Sequence, residues 1–220
     1  MRYITTLLLL LSINVFSQDK GIGISIKSSN MGIGSDVIFQ FHKRMSARVG
    51  FDHFAYNHNR SIEQSDVTYD GNARIKLGSI TALYDYFILP SMYLTGGFAY
   101  NRMNINFSGE AASNYSMGEL EIPAEKIGRF EFDLKPGLTI SPYFGIGFGN
   151  ALGPKLIGFN FEIGTYYHGR PNININASGL TSPTANPAHE QEKLMESQID
   201  QYVLYPIVRG SISFKIAKFK

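Results

Sequence analysis

The chain has 220 residues, of which 17% are charged against about 25% in an ordinary soluble domain, and it is rich in Gly (22), Phe (16) and Tyr (13) with no Cys and no Trp. Its 20 Lys+Arg and 18 Asp+Glu leave a formal charge of +2, far from the basic footprint of a nucleic-acid binder, and the absence of Cys excludes thiol catalysis, disulfide scaffolds and Cys-ligated zinc. Mean hydropathy is -0.09, and beyond the N-terminus no window offers the roughly 20 unbroken apolar residues of a spanning helix, which excludes a polytopic helical membrane protein.

Met1-Arg2-Tyr3 is followed by an apolar run from Ile4 to Leu11 and a more polar stretch ending Val15-Phe16-Ser17-Gln18. A basic start, a short apolar core and small residues at Val15 and Ser17 predict a signal peptide over 1–17, cleaved after about Ser17 on export through the Sec route. A single domain over 18–220 follows, and with no Cys after the cleavage point no lipid anchor is expected.

After Gln18 the dominant period is two, that of a strand. Ile22, Ile24 and Ile26 alternate with Gly21, Gly23 and Ser25, and Val37, Phe39 and Phe41 with Asp36, Gln40 and His42. A Lys43-Arg44 turn leads into Met45, Ala47, Val49 and Phe51, set against Arg48 and Asp52. Residues 57–66 read as a polar loop. Ala73, Ile75, Leu77 and Leu83 then alternate with Arg74, Lys76, Gly78 and Tyr84, and after a turn at Leu89 to Ser91 come Leu94, Phe98 and Tyr100. Residues 106–125 carry no strand pattern and read as a long loop. Phe130, Phe132 and Leu134 stand opposite Arg129, Glu131, Asp133 and Lys135, and a Ser141-Pro142 turn precedes Phe144, Ile146 and Phe148 with Gly between them. Phe159, Phe161 and Ile163 alternate with Asn160, Glu162 and Gly164, Ile173 and Ile175 with Asn, and Val208, Ile212, Phe214 and Ile216 with Arg209, Ser211, Ser213 and Lys215. The one break is a helical spacing of Met195, Ile199 and Tyr202 after Asn186-Pro187, which predicts a short amphipathic helix near 187–202 with Glu190, Glu192, Glu196 and Asp200 on its acidic face.

Alternation also occurs in soluble sandwiches, so the polar face decides between them. It is made of Gly, Ser, Asn and Tyr with sparse ions, as in the crowded interior of a small barrel rather than a solvated surface. In hydrocarbon every backbone N–H and C=O must be paired, which closure of the sheet achieves. The expected fold is therefore all-β: a closed antiparallel up-and-down transmembrane barrel of eight to ten strands, ten favoured, with one short helix before the last strand. The strands fall near 20–28, 32–42, 45–56, 67–87, 91–105, 127–137, 142–149, 156–167, 171–177 and 203–216. Losing the first, by fusion to the second, and 171–177 would leave eight. An interior ion network is expected from Asp36, Asp52, Glu131, Asp133 and Glu162 against Arg48, Arg74, Lys76, Arg129, Lys135, Arg209 and Lys215. With no Trp, the aromatic girdles fall to Tyr84, Tyr86, Phe87, Tyr143, Tyr166, Tyr167 and Tyr205.

The blocks Met31-Gly32-Ile33-Gly34, Pro142-Tyr143-Phe144-Gly145-Ile146-Gly147-Phe148-Gly149-Asn150 and Tyr205-Pro206-Ile207-Val208 resemble those of small bacterial outer-membrane β-barrel proteins, and the Phe-Ser-Gln signal ending is similar to that of exported Bacteroidetes proteins. The resemblance spans the whole mature chain. It implies a monomer in the outer membrane, in contact with lipid and lipopolysaccharide and recognised by the outer-membrane assembly machinery. Such proteins commonly end in an aromatic residue, whereas this chain ends Phe219-Lys220 with Phe214 in register.

No motif points to a reaction. Gly145-Ile146-Gly147-Phe148-Gly149-Asn150 lacks the spacing and the following helix of a nucleotide loop, and His189-Glu190 has Lys193 where a zinc-protease helix needs His. His42, His53, His58 and His168 have no Ser or Asp tied to them by spacing. The expectation is a non-enzymatic barrel, without cofactor or metal, with a structural, adhesive or interaction role through loops 57–66, 106–125 and 179–202. The alternatives are a narrow channel for small or hydrophobic solutes lined by Arg48, Asp52, Arg74 and Lys76, and a lipid- or peptide-modifying enzyme centred on His53 or His168.

Overall fold

Strict alternation of large apolar with small or polar residues leaves the backbone no choice but the pleated strand, and the strands form where the alternation is cleanest. The computed structural model describes residues 20–64, 67–117, 120–153, 155–180, 182, 191–199 and 201–219. The expected signal segment and the Asn186-Pro187 start of the helix lie outside them. In chain order the strands are β1 (Gly21–Ser29), β2 (Gly32–His42), β3 (Met45–Gln64), β4 (Val67–Leu89), β5 (Met92–Asn101), β6 (Asn104–Ala111), β7 (Tyr115–Met117) and β8 (Leu120–Ile122). The short helix α1 (Ala124–Ile127) follows, then β9 (Arg129–Lys135), β10 (Ile140–Gly149), β11 (Ile157–Tyr167), β12 (Asn172–Ala177), the helix α2 (Gln191–Ile199) and β13 (Leu204–Lys218).

Eight strands close a ring in the order β1, β2, β3, β4, β5, β10, β11, β13 and back to β1, every neighbour antiparallel. The ring therefore has eight members and not the favoured ten; of the two losses expected from the sequence, that of 171–177 occurs and that of the first strand does not. β1 is a separate strand, joined to β2 by a tight turn at Asn30-Met31. The strands near 127–137 and 171–177 both exist as β9 and β12, yet neither enters the ring.

They belong to a second sheet region that grows out of the first. β3 pairs with β4 from Met45↔Tyr86 to Gln64↔Val67, so residues 57–64 of the expected loop are strand; 65 and 66 lie outside the described residues. At Gly78 β4 changes partner: from Ser79 onward it pairs with β5, and over Tyr69–Lys76 with β6. β6 pairs with β9 and β9 with β12, giving an extension of the order β3, β4, β6, β9, β12 at one end of the ring. Gly78 sits at φ +149°, and a Cβ there would lie 2.5 Å from the carbonyl oxygen of Asp52. The branch point thus requires glycine. The expected long loop at 106–125 is in part this extension, through β6, and in part the small β7–β8 hairpin. Ser141-Pro142 is no turn but lies inside β10, paired with Ala99 and Phe98. The opposite end of the ring holds the Lys43-Arg44 and Pro90-Ser91 turns and the 150–156 loop.

The two regions bury opposite kinds of side chain. In the ring, Ser79, Thr81, Asp85 and Phe87 of β4 point inward and are buried, while Ile80, Tyr84, Tyr86 and Ile88 point outward and are exposed. Beyond Gly78 the inward phase continues unbroken, but it is now Leu77, Ile75 and Ala73, with Lys76 and Arg74 exposed on the outer face. β3 changes in the same way, from Val49 and Phe51 outward to Asn57 and Asn59 outward. Registered neighbours carry the pattern across: Ile105 and Phe107, Leu134 and Phe132, Ile173 and Ile175 share the apolar face, and Asn106, Asp133 and Asn174 share the polar one. α2 covers the outer edge of this sheet, where Glu196 Oε1 accepts the Ile173 N–H at 3.0 Å. A free sheet edge invites foreign strands, and this contact occupies one of its donors. No helix among the described residues is long and apolar enough to cross a membrane.

Candidate functional site

The ring interior is the most unusual environment in the molecule. Asp36, Lys27, Asp52, Arg209, Glu162, Arg48 and Asp85 form one continuous chain of alternating charge, each joined to the next by an ion pair of 2.5 to 3.7 Å. All are buried. Glu162 is the hub: it takes Arg48 Nη2 at 2.5 Å, Arg209 Nη1 at 3.0 Å, the Tyr143 hydroxyl at 2.6 Å and the Tyr93 hydroxyl at 3.2 Å. Asp85 is held by Arg48 at 2.8 Å, Thr95 at 2.7 Å and Ser46 at 3.0 Å. Ser25 donates to Asp36, Ser79 to Asp52, and Arg209 Nη2 to the Tyr166 hydroxyl. Every ring strand contributes a member, so the network ties the wall to itself across the lumen. Eight strands enclose a space that side chains fill, and here they fill it with paired ions rather than hydrocarbon.

Glycine makes room for the large members. A Cβ on Gly147 would lie 2.0 Å from the Tyr93 ring. Gly147→Val is expected to displace Tyr93 from Glu162 and to destabilise the barrel by about 1–3 kcal/mol through overpacking, read as a lower denaturant midpoint.

Both mouths of the lumen are closed by side chains. At the turn end residues 151–153 fold inward: Leu152 is buried against Gly23, Ser213 Oγ donates to the Ala151 carbonyl, and Lys215 Nζ to that of Gly153. At the extension end Met31, Leu83, Ala99, Tyr143, Tyr166 and Ile207 form an apolar cluster with Leu77 and Tyr205 at its border. His168, just past β11, stacks between Tyr166 and Tyr205 at 5.8 and 5.3 Å, and its Nε2 is buried without a hydrogen-bond partner among the described residues. Burial holds its pKa down at about 4. The unfolded chain takes up this proton near pH 6.5, so His168 supports folding above that value and the support is lost as pH falls toward 4. The denaturant midpoint of the folded protein should fall over this window, and His168→Phe should flatten that part of the fall.

The expected ion network divides in two. Asp36, Arg48, Asp52, Glu162 and Arg209 lie together in the lumen. Arg74, Lys76, Arg129, Glu131, Asp133 and Lys135 lie on the polar outer face of the extension instead, because the barrel wall ends at Gly78. Lys215 is half-buried at the turn end. Lys27 and Asp85, missed from the sequence, complete the chain. Lys27 is in phase with Ser25, a signal that was present; Asp85 was hidden because Leu83 and Phe87 beside it in phase are also inward. The girdle divides too. Tyr84, Tyr86 and Tyr167 are exposed outward and Tyr205 is half-buried, but Phe87, Tyr143 and Tyr166 are buried inside. Asp52 and His53 point to opposite faces of β3, the one buried and the other exposed, so they form no catalytic pair.

The extension's polar face holds a groove of about 500 Å³ lined by Asn59, Ser61, Asp70, Asn72, Ser108, Glu110, Arg129 and Glu131 among others. Its side chains bond laterally: Asn72 Nδ2 donates to Asn57 Oδ1 at 3.1 Å and to Asn59 Oδ1, and Asn106 Nδ2 to Glu131 and Asp133 at 2.9 Å each.

No protein-family model matches the chain, and no curated protein sequence is similar to it. Among solved structures it is similar to crystal structures of CarO2 and CarO of Acinetobacter baumannii. The first covers 91% of this chain and 100% of its own at 17% identity and a TM-score of 0.58. The second covers 89% and 98% at 17% identity and a TM-score of 0.56. At this identity the likeness is one of fold, and it extends over nearly the whole of each chain.

Proposed function

We propose that the protein is an integral outer-membrane barrel whose lumen is closed and whose work is done by the sheet extension it holds outside the membrane. The continuous ion network that crosses the lumen carries this reading. A pore for solutes keeps a water-filled path, whereas here six of the eight ring strands meet through buried salt bridges, β5 and β10 join them through the hydroxyls of Tyr93, Thr95 and Tyr143, and both mouths are covered. The exposed Ile, Val and Phe around the ring fit a lipid environment, since a water-soluble protein rarely exposes so continuous an apolar surface. Solved folds similar over nearly the whole chain support the barrel itself.

In this reading the turn end faces the periplasm and the extension faces outward, with a structural, adhesive or interaction role rather than a reaction. The protein acts as a monomer, inserted by the outer-membrane assembly machinery and surrounded by lipid and lipopolysaccharide. The test is threefold on one preparation. Native protein should run with a heat-dependent mobility shift, fractionate with the outer membrane, and show no steady conductance in planar bilayers. Recovery in the soluble periplasm would sink the reading, and a stable conductance would replace it with the narrow channel.

A further inference from the structure

On the polar face of the extension, the row nearest the ring is cationic. Immediately past the last outward apolar residues of this wall, Ile80 and Tyr100, stand Arg102 and Lys76, with Lys135 two strands along and Arg74 one step higher. Arg102 donates its backbone N–H to the Gly78 carbonyl at 2.9 Å, which places it at the branch point itself. All four side chains are exposed, and none has a polar side-chain partner among the described residues. Glu131 and Asp133, acids of the same face, accept from the neutral amide of Asn106 and pair with none of the four cations. Neighbouring strands are about 4.8 Å apart, so the long side chains of Lys76 and Lys135 can converge on one anion lying over Asn104 between them.

We propose that Arg74, Lys76, Arg102 and Lys135 form a binding site for the phosphate of a phosphorylated glycolipid of the surrounding outer leaflet. This rests on the membrane placement proposed above. Apolar residues below the four cations mark where hydrocarbon ends, so the cations lie at headgroup level, where an anionic surface attracts exposed Lys and Arg. Asn106, beside Arg74 in register, and the row above, Asn72 with Ser108, fit sugar hydroxyls. A plain phospholipid headgroup would leave those rows unoccupied, which favours the glycolipid.

The experiment titrates the full mature chain, folded in detergent micelles, with rough lipopolysaccharide and counts bound lipid by native mass spectrometry. The variant R74Q/K76Q/R102Q/K135Q is expected to bind at least about tenfold more weakly. Dephosphorylated lipopolysaccharide should bring the native chain down to the level of that variant, and R74K/R102K should retain binding. The heat-dependent gel shift establishes that each variant is folded. Equal binding by the native and fourfold-substituted chains overturns the proposal, as does equal affinity for phosphatidylglycerol or full competition by millimolar inorganic phosphate. If the chain inserts into membranes but fails these comparisons, only this site is refuted; if it does not insert, the membrane placement falls with it.

Discussion

Glu162→Ala is expected to destabilise the folded barrel by about 3–5 kcal/mol, the largest effect of any single substitution in the lumen. Arg48 and Arg209 would each lose their shared carboxylate, and both are buried with no route to solvent for the charge. The hydroxyls of Tyr93 and Tyr143 would lose their acceptor in the same step. The cost arises less from lost attraction than from two guanidinium groups left in a low-dielectric interior with half their partners gone. Glu162→Gln retains an acceptor for the tyrosines but not the charge, and should fall between native and Ala. Denaturant unfolding in lipid vesicles, followed by the gel shift, measures both. If Glu162→Ala unfolds at the native midpoint, the network is not what ties the wall together.

The second large effect tests where the outer face stops meeting lipid. Val49 is 58% exposed at the centre of the ring portion of β3, paired with Val37 and Ala82. Val49→Arg is expected to cost about 2–4 kcal/mol in a bilayer, the range for a cation at the midplane of a barrel's lipid face. Eight residues further along the same face, Asn57→Arg should cost close to nothing. In a soluble protein both changes would be exposed surface substitutions of similarly small effect. The contrast between them, measured in vesicles, therefore reports the environment directly.

The same strand shows what sequence reasoning can and cannot reach. Val49, Phe51 and Arg48 are assigned to the correct faces by period alone, because inside the ring apolar means outward. Arg74, Lys76, Glu131 and Asp133 obey the same period with equal regularity, and their placement in the lumen was wrong. Nothing in the period changes at Gly78. Only the surroundings change, from an exposed apolar wall with ions inside to an exposed polar face with an apolar face inside, and alternation is symmetric between those two cases. Leu83 and Phe87 defeat the period for the same reason: they are apolar residues buried inside the ring, Leu83 in the apolar cluster and Phe87 against Tyr93, and not part of its exposed outer wall.

Composition and period by themselves determined that this chain is an all-β barrel: low charge, abundant Gly and Tyr, and strands of two-residue alternation leave few other ways to satisfy the backbone in an apolar setting. They also supplied five of the seven charges that meet in the lumen. Tertiary structure alone decided that the ring has eight strands, that β6, β9 and β12 build a sheet beyond it, and that the lumen is crossed by one unbroken chain of ion pairs. The physical reason is that strand pairing depends on which edges meet across long stretches of sequence, as when β5 joins β10 across the whole extension, and a local pattern carries no record of its distant partner.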